Sequence, residues 1–246
     1  MRPWASPPTG DIWSWTCSFL AGSNDRNYTV SESKEVTGVD AIAVLKEKFS
    51  LKDMTPEQYR TMGSAMMRFR LEQYAVEGLG NLCVLKTKAM LGLMQLTTVV
   101  VTPSSGKNVP FLLIDTMDMG KKHLCYVEYY DCTAKGADKD LLLAAGAPYA
   151  DVENYAEKPA WYVGERMEGS LIKTGDKARL EQMALDALRA YAAQATAAPV
   201  KPENLAGLKA FQERMVREGN PSTSALTRTL GKERAETFFR TVVMPV

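Results

Sequence analysis

Between residues 81 and 131 the chain carries four runs of aliphatic, β-branched and aromatic residues, LCVLKTKAM, LMQLTTVVV, FLLIDTM and KHLCYVEYYD. Runs of this length bounded by turn-forming residues read as strands. Ser104-Ser-Gly-Lys-Asn108 between Pro103 and Pro110 makes one turn and Gly120-Lys-Lys122 another. Both connections are too short for the crossover that parallel neighbours need, so the block predicts an antiparallel meander.

Helical patterns flank this block. Thr55-Pro56-Glu57-Gln58 is a capping-box sequence with proline at the first helical position, and Tyr59, Met62, Met66, Phe69 and Gln73 follow at a helical stride. A helix is predicted near 55–77, ending at Gly78-Leu79-Gly80. Residues 134–160 read as loop with a short helix at LLLAAG, and MEGSLIK, 167–173, as a further strand. From Asp176 onward the pattern is helical. Leu180, Met183, Ala184, Leu188 and Tyr191 share one apolar face, Leu205, Leu208, Phe211 and Met215 another, and Leu226, Leu230 and Phe238 continue it.

Helix, strand block and helix block follow one another without βαβα alternation. The predicted class is α+β, an α/β/α sandwich with a central antiparallel sheet flanked by helices, in one domain over 1–246. Residues 1–50 form an unassigned N-terminal arm. Its opening segment holds Trp4, Trp13, Trp15, Phe19 and Leu20 but is interrupted by prolines and Asp11, so it reads as an aromatic arm packed on the body and not as a signal peptide.

Composition narrows the chemistry. The 246 residues include 30 Lys+Arg against 29 Asp+Glu, a formal net charge of +1, which offers no global field for nucleic acid or anionic lipid. His123 is the single histidine, so multi-histidine zinc sites and bis-histidine haem ligation are excluded. Cys17, Cys83, Cys125 and Cys132 contain no CxxC pair and read as reduced, mostly buried thiols. Walker A, GxGxxG, GxSxG and HExxH patterns are absent, and no apolar run is long enough to span a bilayer. A soluble, intracellular protein is expected.

Asp115 is the unusual residue. It follows Phe111-Leu-Leu-Ile114 and precedes Thr116-Met117 in a strand of otherwise buried type. An ionised carboxylate there is costly to desolvate, and a raised pKa would leave it a proton to donate near neutrality. The bland alternative is an aspartate at the strand end paired with Lys88 or Lys122. If Asp115 faces a pocket, alternation puts Leu113 and Met117 on the same side as apolar wall. His123, beside Lys121 and Lys122, reads as a solvated turn residue.

The order of these pieces resembles the ferredoxin-dependent bilin reductases. Members carry Pro, loop, Pro-hydrophobic-x-x-x-Asp, similar in spacing to Pro103, Pro110 and Asp115 here. A tryptophan followed twelve positions later by a basic residue matches Trp161 and Lys173. The stretch from Gly219-Asn220 through Leu226, Leu230-Gly231 and Ala235-Glu236 to Phe239 and Val242-Val243 is similar to the family's C-terminal pattern. The three matches occur in family order and cover roughly residues 80 to 245.

The resemblance implies an antiparallel sheet between helices, a linear tetrapyrrole such as biliverdin held between the sheet and the C-terminal helices, and no permanently bound cofactor. Electrons would come from reduced ferredoxin. Asp115 falls on the family's central proton donor and Lys173 on its propionate clamp. Lys86 and Thr98 stand where phycocyanobilin-forming members place a glutamate and a catalytic histidine, and would line the sheet face beside Asp115. Asn220 falls on a loop aspartate that many members use as a second acid, and asparagine cannot supply that proton. A basic docking patch for ferredoxin would be Lys107, Lys121 and Lys122, or Arg217 and Arg228. A monomer acting in phycobilin biosynthesis is implied. The altered acids leave two other readings open: a reductase acting on a chlorophyll catabolite, and a non-catalytic bilin-binding protein.

Overall fold

A computed structural model describes residues 40–220 and 222–246. A short helix α1 (Ala41–Lys46) leads to strand β1 (Leu51–Asp53), a single helical turn α2 (Glu57–Arg60) and strand β2 (Thr61–Gly63). The meander follows as β3 (Met67–Val76), β4 (Gly80–Ala89), β5 (Met94–Thr102), β6 (Phe111–Met119) and β7 (Lys122–Tyr130). Helix α3 (Asp140–Gly146) and strand β8 (Leu171–Thr174) precede the helices α4 (Lys177–Ala197), α5 (Asn204–Glu218), α6 (Thr223–Leu230) and α7 (Lys232–Phe238). A π-helical turn, Phe239–Val243, follows directly. The eight strands form one sheet in the order β1-β3-β4-β5-β6-β7-β8, with β2 also on β3, and every pairing is antiparallel. The α+β sandwich is as expected from the sequence.

The sequence predicts a helix over 55–77, and the structure places a strand across most of that span. Met67, Phe69, Leu71 and Gln73 are buried at every second position, and β3 pairs with β4 along ten residues. The helical stride through Tyr59, Met62, Met66, Phe69 and Gln73 picks residues from a segment that also satisfies period two, and sheet pairing decides between them. Thr55 does not cap α2. Its Oγ1 accepts a hydrogen bond from Gln73 N at 2.9 Å, tying the turn to β3. The helix also cannot pass Gly63, whose φ of +100° is left-handed and whose Cβ, if present, would collide with the Met67 carbonyl oxygen.

The strand predicted at 167–173 is confined to Leu171–Thr174. His123 is in β7 opposite Asp118 and not on the turn, with Nδ1 3.5 Å from Asp118 Oδ1. The aromatic arm and Cys17 lie outside the described residues. Cys83, Cys125 and Cys132 are buried free thiols, and burial pushes Cys83 up to about 12.

Both faces of the sheet are covered, which is why the central strands read as near-continuous apolar runs. One face packs on α4, whose Leu180, Met183, Ala184, Leu188 and Tyr191 are buried against Leu82, Val84, Val99, Val101, Leu112, Ile114 and Val127. Tyr191 Oη donates to the Pro110 carbonyl at 2.9 Å. The other face packs on α5, α6, α7 and the π turn, through Leu208, Met215, Leu226, Phe238 and Val242. Gly207 lets α5 approach closely, since a Cβ there would strike the Cys132 carbonyl oxygen.

The two faces differ in chemistry. Register puts all the buried polar side chains of β3 to β7, namely Gln73, Asn81, Thr87, Thr98, Thr102, Asp115 and Glu128, on the side covered by α5 to α7. Part of this set is structural. Gln73 Nε2 donates to Asn81 Oδ1 at 2.8 Å, and Asn81 Nδ2 donates to the Val242 carbonyl at 3.2 Å, which pins the π turn to the sheet.

Candidate active site

Asp115 sits near the middle of β6, directly opposite Thr98 on β5 and Tyr126 on β7. Its side chain turns to the polar face and is 8% exposed. Thr98 Oγ1 donates to Asp115 Oδ1. Burial pushes the carboxyl up to about 6, while the bond from Thr98 works the other way. Among the described residues no cation pairs with it: Lys88 and Lys122, its alternative partners on sequence grounds, point elsewhere. Lys88 stands opposite Arg68 and Gln95 on the other side of the sheet, and Lys122 Nζ lies 4.6 Å over the Tyr155 ring.

Leu113 and Met117 share Asp115's face, two residues away on either side. Lys86 and Lys173 do not. Lys86 pairs in register with Thr97, and Lys173 with Cys125, which puts both on the α4 side of the sheet. Lys173 is buried there, and its Nζ donates to the Val152 carbonyl at 2.9 Å. The family resemblance assigns Lys173 the role of propionate clamp. Pairing of β8 with β7 turns it away from Asp115, and its neighbour Ile172 takes the position facing Tyr126.

Asn220 follows Gly219 at the end of α5. Its Oδ1 accepts from Ser222 N at 3.0 Å and its backbone N–H donates to Thr223 Oγ1 at 2.8 Å, an Asx turn that starts α6. It lines a cleft of about 380 Å³ with Val216, Arg217, Thr223, Lys232 and Phe239. Trp161 braces this loop from outside, its Nε1 donating to the Gly219 carbonyl at 2.9 Å.

A second buried acid lies on the same face. Glu128 on β7 stands opposite Leu113, one step diagonally from Asp115, and is 2% exposed. Its Oε1 accepts from Arg166 and, at 3.1 Å, from Tyr130 Oη. Arg166 also grips Glu157 with both Nη atoms. Burial pushes Glu128 up to about 7 against the pull of Arg166, and the nearby Asp115 adds to the rise. Burial works against the charge on Arg166, but Glu157 and Glu128 outweigh it and hold the guanidinium above its ordinary value. The signal for Glu128 was in the sequence: an acid between Val127 and Tyr129 in a buried-type strand is as anomalous as Asp115. Arg166, on a loop, carries no such signal.

Thr87 and Thr102 each bury a hydroxyl on this face without a hydrogen-bond partner among the described residues. Among those residues no group of three or more His, Cys, Asp or Glu could hold a metal ion, and no helix is long and apolar enough to cross a membrane.

The antiparallel sheet between two helical layers is a fold this chain shares with a solved structure. Among solved structures, selenomethionine phytochromobilin synthase from tomato in complex with biliverdin matches with a TM-score of 0.61 and 12% sequence identity. The match covers 80% of this chain and 79% of that one. No protein-family model and no curated protein sequence matches the chain.

Proposed function

We propose that this protein reduces a linear tetrapyrrole of the biliverdin type, with electrons from reduced ferredoxin and Asp115 as proton donor. The observation that carries the reading is Asp115: a buried carboxyl without a cation, on the sheet face turned to the C-terminal helices, in a fold shared with a biliverdin-bound synthase. Saturating one double bond of a bilin takes two electrons and two protons. The conjugated pigment accepts the electrons and the protein supplies a proton at a chosen position, so no resident cofactor is required. A carboxyl at about 6 is protonated in about one molecule in ten at pH 7, far more than an ordinary aspartate, and is acidic enough to give the proton up. The unpartnered hydroxyls of Thr87 and Thr102 are further polar groups on this face for a polar ligand.

Propionate carboxylates call for cations. With Lys173 on the other side of the sheet, the cleft beside Asn220 offers Arg217 and Lys232 instead. For the acidic donor, the uncovered part of the α4 side carries Arg68 opposite Lys88 and Arg70 opposite Lys86. Beside them the β4–β5 turn exposes Met90, Leu91 and Leu93, with Met90 and Leu91 at left-handed φ of 52° and 59°. Clustered cations around an apolar tip complement an acidic surface with an apolar centre. Of the turn lysines, Lys107 is engaged by the Ala198 carbonyl at 2.7 Å.

The test is anaerobic incubation of the purified protein with biliverdin and a reduced ferredoxin. A bleached or shifted product band supports the reading. A stable red-shifted complex without turnover makes the protein a binder, and an unchanged spectrum counts against bilins.

A further inference from the structure

Resting on the bilin-reductase reading, we infer that Glu128 is the proton-carrying group that reloads Asp115, by a route that reaches solvent through Arg166 and Glu157. One reduced double bond consumes two protons, and Asp115 holds one. Asn220 cannot supply the other. After its transfer Asp115 is a carboxylate at 8% exposure, paired among the described residues with the Thr98 hydroxyl alone, so its return proton comes through the protein.

Among the described residues, the neighbours of Asp115 on its own face include one further carboxyl, while burial pushes the Tyr126 phenol far above the range in which it gives up a proton. Leu113 and Met117 flank it on β6, and Thr98 and Tyr126 face it across the register. Glu128 is the carboxyl next along β7, at a diagonal position where side chains about 7 to 8 Å apart at the backbone are within reach of one another or of one bridging water. Around Glu128 stand Asp115 on β6, Tyr130 on its own strand, and Arg166 and Glu157 from the segment before β8.

Charge balance favours a stored proton. Arg166 is one cation shared by two carboxylates, holding Glu157 through both Nη atoms and Glu128 through Nε and one Nη. Among the described residues Arg166 and Tyr130 both contact Glu128 at Oε1, and in the relay the proton is carried on Oε2. If Glu128 and Asp115 were both ionised, this buried group would hold two negative charges without counterions, which the low-dielectric interior opposes. Glu157, with its side chain 19% exposed, gives the group its contact with water.

The proton count closes. Asp115 gives its carboxyl proton to the pigment with the first electron, and Glu128 passes its own proton to Asp115. Asp115 gives this second proton to the pigment with the second electron, and two protons from solvent, entering by way of Glu157, restore Glu128 and Asp115. The iron–sulfur donor is the only species oxidised and the pigment the only one reduced.

Two measurements on Glu128→Gln test this. Infrared titration of the protein without pigment should reveal two carboxyl groups losing their protons between mildly acidic and neutral pH in the wild type, and one in the variant. That result does not depend on any bilin. Identical titrations, or a Glu128 already ionised in mild acid, would overturn the inference. Where the wild type turns over biliverdin, the variant should keep its first protonation rate and lose about tenfold or more in the steady state, with partial recovery on adding a small carboxylic acid. A variant that is merely less stable, with an unchanged pH profile and no rescue, makes the Glu128–Arg166 contact structural and refutes the relay. Absence of turnover in the wild type itself strikes the bilin reading, and the infrared result then decides Glu128 alone.

Discussion

Thr98 and Asp115 occupy one register position on neighbouring strands, and the threonine hydroxyl donates to a carboxylate that has no cation beside it among the described residues. One neutral donor only partly offsets the burial of a charge. The carboxyl therefore stays above its ordinary range, and the protein carries an acid poised near neutral pH at some expense in stability.

Asp115→Asn should leave biliverdin affinity within about twofold of wild type and lower turnover by about 10²–10⁴-fold, the usual worth of a general acid. The same variant has a stability signature. A carboxyl raised from 3.8 to about 6 stabilises the fold most below about pH 4, and that contribution disappears as pH rises through 6. The loss amounts to about 3 kcal/mol. Asp115→Asn should thus unfold at higher denaturant than wild type at about pH 8, with the gap closing in acid. A variant less stable than wild type at every pH would contradict the assigned titration.

Thr98→Val removes the one bond that favours the ionised form. The Asp115 carboxyl should rise further, so the fall of activity with increasing pH moves to higher pH. A pH–rate profile in the two proteins reads this directly, and a shift toward acid would place another donor on Asp115.

Lys173→Ala should leave biliverdin binding unchanged, because its ammonium is on the α4 side of the sheet, satisfied by Val152. Its effect should instead be a stability loss of about 1–3 kcal/mol from the unpaired carbonyl and lost packing. Tenfold weaker pigment binding in a folded variant would return Lys173 to the site.

Reversing charge at Arg68 and Lys88 together should raise KM for reduced ferredoxin several-fold, flatten its dependence on salt, and leave pigment affinity alone. Steady-state rates at varied ionic strength test it. Unaltered KM would move the donor to another surface.

Much of this was legible in the sequence because the relevant signals are local. The four central strands announce themselves by composition, the apolar face of α4 by its stride, and Asp115 by its company. What failed depended on pairing. Residues 67–76 fit two periodicities, and the full-length ladder to β4 selects the strand. Lys173 was located by counting from Trp161, whereas the direction of its side chain is set by the register of β8 on β7. Glu128 obeys the same reasoning that singled out Asp115, yet its link to Arg166 joins residues 38 apart through a loop without periodicity.

The division of the sheet into a greasy side and a hydrophilic side makes its alignment all-or-nothing. Sliding any inner strand by one residue would swap every hydrophilic group on it into the packing with α4 and send its aliphatic partners toward the C-terminal helices. The chemistry of the reactive side can therefore be retuned only by exchanging individual residues, never by shifting a strand, and new substrate preferences in such a scaffold should arise by point replacement at alternate positions.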